Sequence, residues 1–291
     1  MTVQVNGQMN GRTKTLMSGL GFGESPRWHD GRLWFCNWGT QEIVAVDLAG
    51  RSEVAAHVPT TIPYSIDWLP DGRLLVVSGP EGKLLRLEAD GSWVTHADLA
   101  QPGTGGWNEI VVDGRGNTYV NGPGIALIAA DGATRFFAEQ LGFPNGMAVT
   151  ADNSTLIVAE SHGKRLTAFD IAEDGALSGR RVWADLARSA NLAGSDASGV
   201  PDGICLDAAG AVWYADVPNK RCVRVREGGE VLETVEVDRG CFSCTLGGTE
   251  RKTLFIVAAE WLGWARMAEA LAARTGQLLS TEISIAGAGW P

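Results

Sequence analysis

The sequence predicts an all-β fold, a six-bladed β-propeller with four-stranded blades closed by an N-terminal strand. Three observations carry this prediction. A strand–turn–strand unit recurs six times along the chain, and its turns come at a nearly constant interval. The 38 glycines and 11 tryptophans among 291 residues supply the tight turns and broad apolar side chains that short packed strands need.

The six units read SPRWHDGRLWFCN (25–37), SIDWLPDGRLLVVSG (65–79), NEIVVDGRGNTYVNG (108–122), NGMAVTADNSTLIVAES (145–161), DGICLDAAGAVWYAD (202–216) and SCTLGGTERKTLFIVAA (243–259). Each holds a short apolar run, a polar turn and a second apolar run, the pattern of a β-hairpin. The turn residues Asp30, Asp71, Asp113, Asp152 and Asp207 stand 41, 42, 39 and 55 residues apart, and the sixth turn, near Thr249, lies 42 further on. An interval of roughly 40–45 residues is that of a propeller blade. The longer step carries an insertion, 188–200, rich in Ser, Ala, Gly and Asn, which reads as a mobile surface loop.

Further strands follow the hairpins: EIVAVDLAG, KLLRLEADG, IALIAADG, RLTAFDIAEDG and RCVRVREGG, each running apolar and then turning at Gly. The last unit is one strand short after GQLLSTEISI. A closed ring leaves no such edge open, so residues 12–17 are expected to supply the missing strand. Residues 1–11 read as a flexible tail and 1–291 as one domain. The segment EWLGWARMAEALAART (260–275) is rich in helix formers and reads as a short helical excursion. It follows a strand that ends at the channel mouth, so 260–274 is expected to lie over that mouth as a partial lid.

Composition narrows the function. A formal net charge of −10 offers no basic footprint for nucleic acid or anionic membrane, and the expected partner is a small-molecule substrate. No apolar stretch is long enough to span a bilayer, and the polar N-terminus has no signal core. With five cysteines, an odd number, these features predict a cytoplasmic protein in a reducing compartment. Cys241 and Cys244 form a single CxxC pair, which reads as small buried strand residues in preference to a zinc or redox motif.

The repeat also locates a site. The first strand of each blade lines the channel, so its starting residues gather at one mouth: Glu24, Ser65, Asn108, Asn145, Asp202 and Ser243. The ends of the second strands return there with Asn37, Ser78, Asn121, Glu160, Ser161, Asp216 and Glu260. Two carboxylates and two carboxamides converging in the first ring are costly without a partner. One divalent cation is the natural partner, because hard ions take oxygen ligands and two carboxylates neutralise the charge. Ca²⁺ leads, with Mg²⁺, Mn²⁺ or Zn²⁺ as alternatives, and a thiolate site is excluded by the absence of Cys from the ring. Trp38, Tyr64, Trp107, Trp261 and Trp264 are in reach of the mouth and are the candidate substrate-binding surface. His162, beside a strand end, is a rival general base. Nothing in the chain reads as a nucleophile elbow.

The motifs GESPRW (23–28), WNEIVVDGRG (107–116), FPNGMAVTADNSTLIVAES (143–161), PDGICLDAAGAVWYAD (201–216) and CFSCTLGGTERKTLFIVAA (241–259) also carry a resemblance. Over nearly its whole length the chain is similar to the gluconolactonase, regucalcin and luciferin-regenerating-enzyme family. That resemblance implies a six-bladed propeller with one catalytic metal at the channel mouth. It places the family's metal ligands on Glu24, Asn145 and Asp202, with Asp202 also the general acid/base. It places on Asn108 the contact with substrate or metal-bound water. Two positions depart from the sugar-lactonase pattern: Gly106 stands where an Arg is common, and Glu109 where an Asp is common.

The expected function is therefore metal-dependent hydrolysis of a lactone other than a typical sugar acid lactone. A metal- or ligand-binding propeller without catalysis, and a metal-dependent lyase or isomerase, are the alternatives.

Overall fold

In the computed structural model the structure describes residues 4–5, 8–9, 13–100, 106–137, 140–187 and 198–289. Six antiparallel sheets surround a channel, one for each hairpin read from the sequence. The inner strands, in order, are Gly23–His29, Tyr64–Trp68, Ile110–Val112, Pro144–Val149, Pro201–Leu206 and Gly240–Gly247. Three further strands lie outward of each. The predicted closure is present: Lys14–Leu20 runs antiparallel to Gly276–Glu282 and becomes the outer strand of the sixth blade, with Met17 opposite Leu278.

The turn aspartates act through their side chains. Asp113 Oδ1 accepts the N–H groups of Arg115 at 2.9 Å and Asn117 at 2.8 Å, and Asp207 Oδ1 accepts those of Ala209 at 2.8 Å and Ala211 at 3.0 Å. Such Asx turns reverse the chain within a few residues and leave a following glycine at positive φ, as at Gly116 (φ 87°) and Gly210 (φ 75°).

Burial falls outward along each blade. Ile110–Val112 is wholly buried, whereas Thr134–Phe137, the outer strand of the same blade, is almost wholly exposed. The apolar core is divided among the seams between blades. One cluster joins Leu33 and Phe35 of blade one to Phe255, Val257 and Leu278 of blade six, so the closing seam is packed like the others. The core therefore forms an annulus, and the channel inside it is free to be polar.

Residues 1–11 lie mostly outside the described residues. Gln4–Val5 and Gln8–Met9 are short strands, and Gln8 pairs in parallel with Thr234 on the outer edge of blade five. Of the expected surface loop at 188–200, residues 188–197 also lie outside the described residues. The helical excursion is shorter than the sequence suggests. A 3₁₀ turn, Trp264–Arg266, leads into a helix, Met267–Ala273, which Arg274 ends in the left-handed conformation. No helix among the described residues is long and apolar enough to cross a membrane.

Candidate active site

The inner strands do more than start at the mouth, because three of them break register there. Pairing with the second strand shifts between Glu24 and Arg27, between Pro144 and Met147, and between Pro201 and Ile204. A bulge leaves its extra residue unpaired and re-aims the local side chains. Glu24 borders one such break, and Asn145 and Asp202 lie inside the other two. The glycines after Asn145 and Asp202 draw the strands together. A Cβ on Gly146 would sit 2.5 Å from Ile204 N and 2.6 Å from Asp202 O, and one on Gly203 would sit 1.9 Å from Ser243 Oγ. Only glycine permits this approach.

Glu24, Asn108, Asn145 and Asp202 accordingly line one cavity of about 830 Å³. Asn108 Nδ2 donates to Asn145 Oδ1 at 3.0 Å, and Ser65 Oγ fixes the Asn108 carbonyl at 2.9 Å. Asn121, buried at the end of its strand, donates to the Asn145 carbonyl and accepts the Glu109 N–H at 3.2 Å. Ser161 Oγ donates to Pro201 O at 2.7 Å. Several residues of the expected second ring thus serve as braces. Asp216, for example, is engaged by Arg221 at 3.0 Å and by Asn219.

The electrostatics of the two carboxylates are adverse. Burial, then the charges of Asp202 and Glu109, push the Glu24 carboxyl well above the usual carboxylate range, against the opposing Ser25 N–H and Arg27. Burial and then Glu109 push Asp202 the same way, with the Asn145 amide opposing. Among the described residues no Lys or Arg lines the cavity. The two groups can be relieved by protonation or by a cation, and two carboxylates with a carboxamide oxygen form a donor set that fits a hard divalent ion. Among the described residues no cluster of three or more His, Cys, Asp and Glu side chains is placed to hold a metal. An ion at the mouth would therefore rest on Glu24, Asn145 and Asp202 and complete its shell with water or substrate. All five cysteines are buried and free, Cys241 and Cys244 on an inner strand among them.

Below this rung lies a buried charge network that the sequence reading missed. Arg27 Nη2 donates to Glu109 Oε1 at 3.1 Å and to Ile110 O at 2.8 Å, and Nη1 donates to Pro26 O at 3.1 Å. Ser25 Oγ reaches the same Glu109 oxygen at 3.3 Å. Glu109 is thus committed to a structural pair and does not line the cavity.

The aromatic candidates divide. Trp38, Trp261, Trp264 and His162 line the cavity. Tyr64 and Trp107 do not: Tyr64 is fully buried with its hydroxyl donating to Asn37 O at 2.9 Å, and Trp107 is 2% exposed with Nε1 donating to Leu99 O at 3.1 Å. His162 sits at the rim, stacked on Phe143 at 4.7 Å. The 260–274 segment does overlie the mouth, contributing Trp261, Trp264 and Met267. It is anchored there, because Met267 and Ala270 are buried in the core cluster of the first two blades.

Sequence reasoning missed Phe22, Pro63, Phe143 and Val200, all of which line the cavity. Each stands two residues before a channel-mouth position and just outside the inner strand that follows it, so the strand pattern read from the sequence did not mark it.

Residues 22–260 match the family described as the SMP-30/Gluconolactonase/LRE-like region. The chain is 23% identical over 261 residues to the pentonolactonase XacC of Haloferax volcanii, covering 85% of this chain and 84% of that one. It is 25% identical over 174 residues to a 6-deoxy-6-sulfogluconolactonase of Pseudomonas putida, covering 59% of this chain and only 56% of the relative. Among solved structures, a luciferin-regenerating enzyme superposes with a TM-score of 0.78 at 17% identity, over 95% of this chain and 97% of that one. A calcium-binding regucalcin from Agrobacterium tumefaciens superposes with 0.77 at 20% identity, over 98% and 97%. At these identities the structural likeness speaks for the fold alone.

Proposed function

The chain belongs to the SMP-30/Gluconolactonase/LRE-like family, and from that membership and the geometry of its mouth we propose that it is a metal-dependent lactone hydrolase. The observation that carries the reading is the convergence of Glu24, Asn108, Asn145 and Asp202 on one cavity, at the register breaks of three inner strands. Relatives named for lactone hydrolysis support it.

Glu24, Asn145 and Asp202 would hold one divalent ion, Ca²⁺ first among the candidates. When bound, such an ion supplies Lewis-acid polarisation of the lactone carbonyl. Asp202 is the candidate general base, a buried carboxyl at the mouth that burial and Glu109 hold above the usual carboxylate range. Its carboxylate takes a proton from the attacking water as the water oxygen bonds to the carbonyl carbon. It returns that proton to the ring oxygen as the ring C–O bond breaks, and the product is the hydroxy acid. Asn108 orients the Asn145 amide and presents its own edge to the carbonyl.

The test is acid release from a lactone panel in a pH-stat, with and without chelator. Hydrolysis should be lost with chelator and restored by a divalent ion. Asp202→Ala should lower kcat by about 10³-fold or more, while His162→Ala at the rim should retain most activity. Metal binding with no turnover of any lactone would reassign the cavity to ligand binding, and a non-hydrolytic product would make the enzyme a lyase or isomerase. Undiminished hydrolysis by Asp202→Ala would remove Asp202 from the mechanism.

A further inference from the structure

We propose that the cavity selects an uncharged lactone bearing an apolar substituent of aryl or medium alkyl size. The lactone ring lies at the oxygen-donor rung, and the substituent lies outward against an aromatic arc. This deepens the lactonase reading and rests on it for the placement of the ring.

The arc is built in two layers. Two positions before five of the six mouth residues the chain lines the cavity beside the oxygen donors, with Phe22, Pro63, Phe143 and Val200, and with Gly106 adding no side chain. The lid supplies the second layer. Phe22 contacts Phe242 at 4.3 Å between ring centroids, Phe242 meets Trp261 at 5.5 Å, and Trp261 meets Trp264 edge-on at 5.4 Å. Trp264 then reaches Phe143 at 6.4 Å, and Phe143 is backed by His162. An unbroken aromatic surface runs from blade six across the mouth to blade four. Its outer members are left wet, Trp264 at 58% exposure and Phe143 at 39%. Large apolar side chains exposed beside a concave site mark a surface that a ligand covers.

The polar inventory points the same way. Among the described residues outside the donor rung, the only lining side chains with hydrogen-bonding groups, indoles aside, are Ser161 and His162, and Ser161 Oγ is already donating to Pro201 O. Aromatic faces can stack on a sugar ring, but each buried hydroxyl then needs a partner, and the walls do not supply them. A sulfonate, phosphate or carboxylate substituent would meet Glu24 and Asp202 with no lining Lys or Arg among the described residues to offset them.

The test compares kcat/KM, with saturating Ca²⁺, for γ-butyrolactone, γ-phenyl-γ-butyrolactone and glucono-1,5-lactone. The phenyl lactone should exceed the parent by about 30-fold, the scale expected for burying one aryl group, and glucono-1,5-lactone should fall below both. In Trp264→Ala, whose side chain is largely exposed and carries little of the fold, the phenyl-to-parent ratio should drop by about tenfold. A gluconolactone preference, or an unchanged ratio in Trp264→Ala, overturns the proposal. The unreactive ring analogues 2-phenyltetrahydrofuran and tetrahydrofuran separate its failure from that of the lactonase reading. If no lactone is turned over but tryptophan fluorescence reports tighter binding of the phenyl analogue, weakened in Trp264→Ala, the apolar subsite stands and hydrolysis falls. Equal binding of the two analogues overturns the subsite itself.

Discussion

Removing the guanidinium beneath the site, by Arg27→Met, tests whether the buried charge network holds the channel together. Arg27 is 7% exposed and donates three hydrogen bonds, to Glu109 Oε1, Ile110 O and Pro26 O. Methionine fills much the same volume, so the change acts mainly on charge. It leaves Glu109 without its cation and Ile110 O without a donor, in a channel that also holds Glu24 and Asp67. Breaking one side of a buried ion pair costs about 3–5 kcal/mol. With an unfolding entropy near 2.1 cal/mol/K per residue, a chain of this length should lose about 5–8 °C in Tm. The deficit has a predicted pH dependence. Burial raises Asp67 to about 6 although Arg27 pulls it down, and Glu24 is raised as well. Arg27 stabilises the fold through the ionised forms of its neighbours. Its contribution is therefore present above pH about 6 and shrinks as they protonate, making the Arg27→Met deficit smaller at pH 5 than at pH 8. Urea unfolding of wild type, Arg27→Met and Arg27→Met/Glu109→Leu at both pH values reads all of this. The double variant should recover much of the loss, because Glu109, the partner that Arg27 bonds directly, is then no longer left as an unpaired charge. A single variant within about 1 kcal/mol of wild type, or a double variant no better than the single, would refute the reasoning.

Two further outcomes follow from the mouth. Glu24 and Asp202 have folded pKa values raised above the usual carboxylate range, so in chelator they should destabilise the fold progressively as pH rises from that range through their folded values. Asp202→Asn should accordingly raise Tm relative to wild type at pH 8 more than at pH 5 in chelator, and saturating Ca²⁺ should reverse the order at pH 8; a pH-independent difference would count against the coupling. Gly146→Ala places a methyl about 2.5 Å from the backbone of blade five, so that the strands must part. It should cost about 2–3 kcal/mol and at least 10²-fold in kcat, through displacement of Asn145 and Asp202; wild-type activity in that variant would show the strand approach to be dispensable.

How much of this was legible in the sequence depends on the range of the interaction that decides each feature. The Asp-Gly turns are local devices, and so the six hairpins could be read directly. The closing strand followed from topology, since a propeller with one strand missing must find it elsewhere. It was placed at 12–17 and lies at Lys14–Leu20, because local pattern does not fix where a terminal strand begins. Glu24, Asn108, Asn145 and Asp202 were found through their shared place in the repeat. Tyr64 and Trp107 were misassigned to the substrate surface for one physical reason. Each is the immediate neighbour of a mouth residue, and successive strand side chains point to opposite faces, so adjacency in sequence sends them into the seams between blades.

Chain connectivity links the missed residues to the chemistry. Phe22 and Phe143 each lie two residues before an oxygen donor, on the segment leading into the inner strand, so the chain that brings Glu24 to the mouth also brings Phe22, and the chain that brings Asn145 also brings Phe143. The donor rung and the apolar rung are therefore not independent features that share a cavity. Substitution at these outer positions should change which lactone is held while the backbone that places Glu24, Asn145 and Asp202 stays fixed. In this chain those positions carry Phe, Pro, Gly, Phe and Val, and it is there, not among the oxygen donors, that the proposed preference for an apolar substituent would be set.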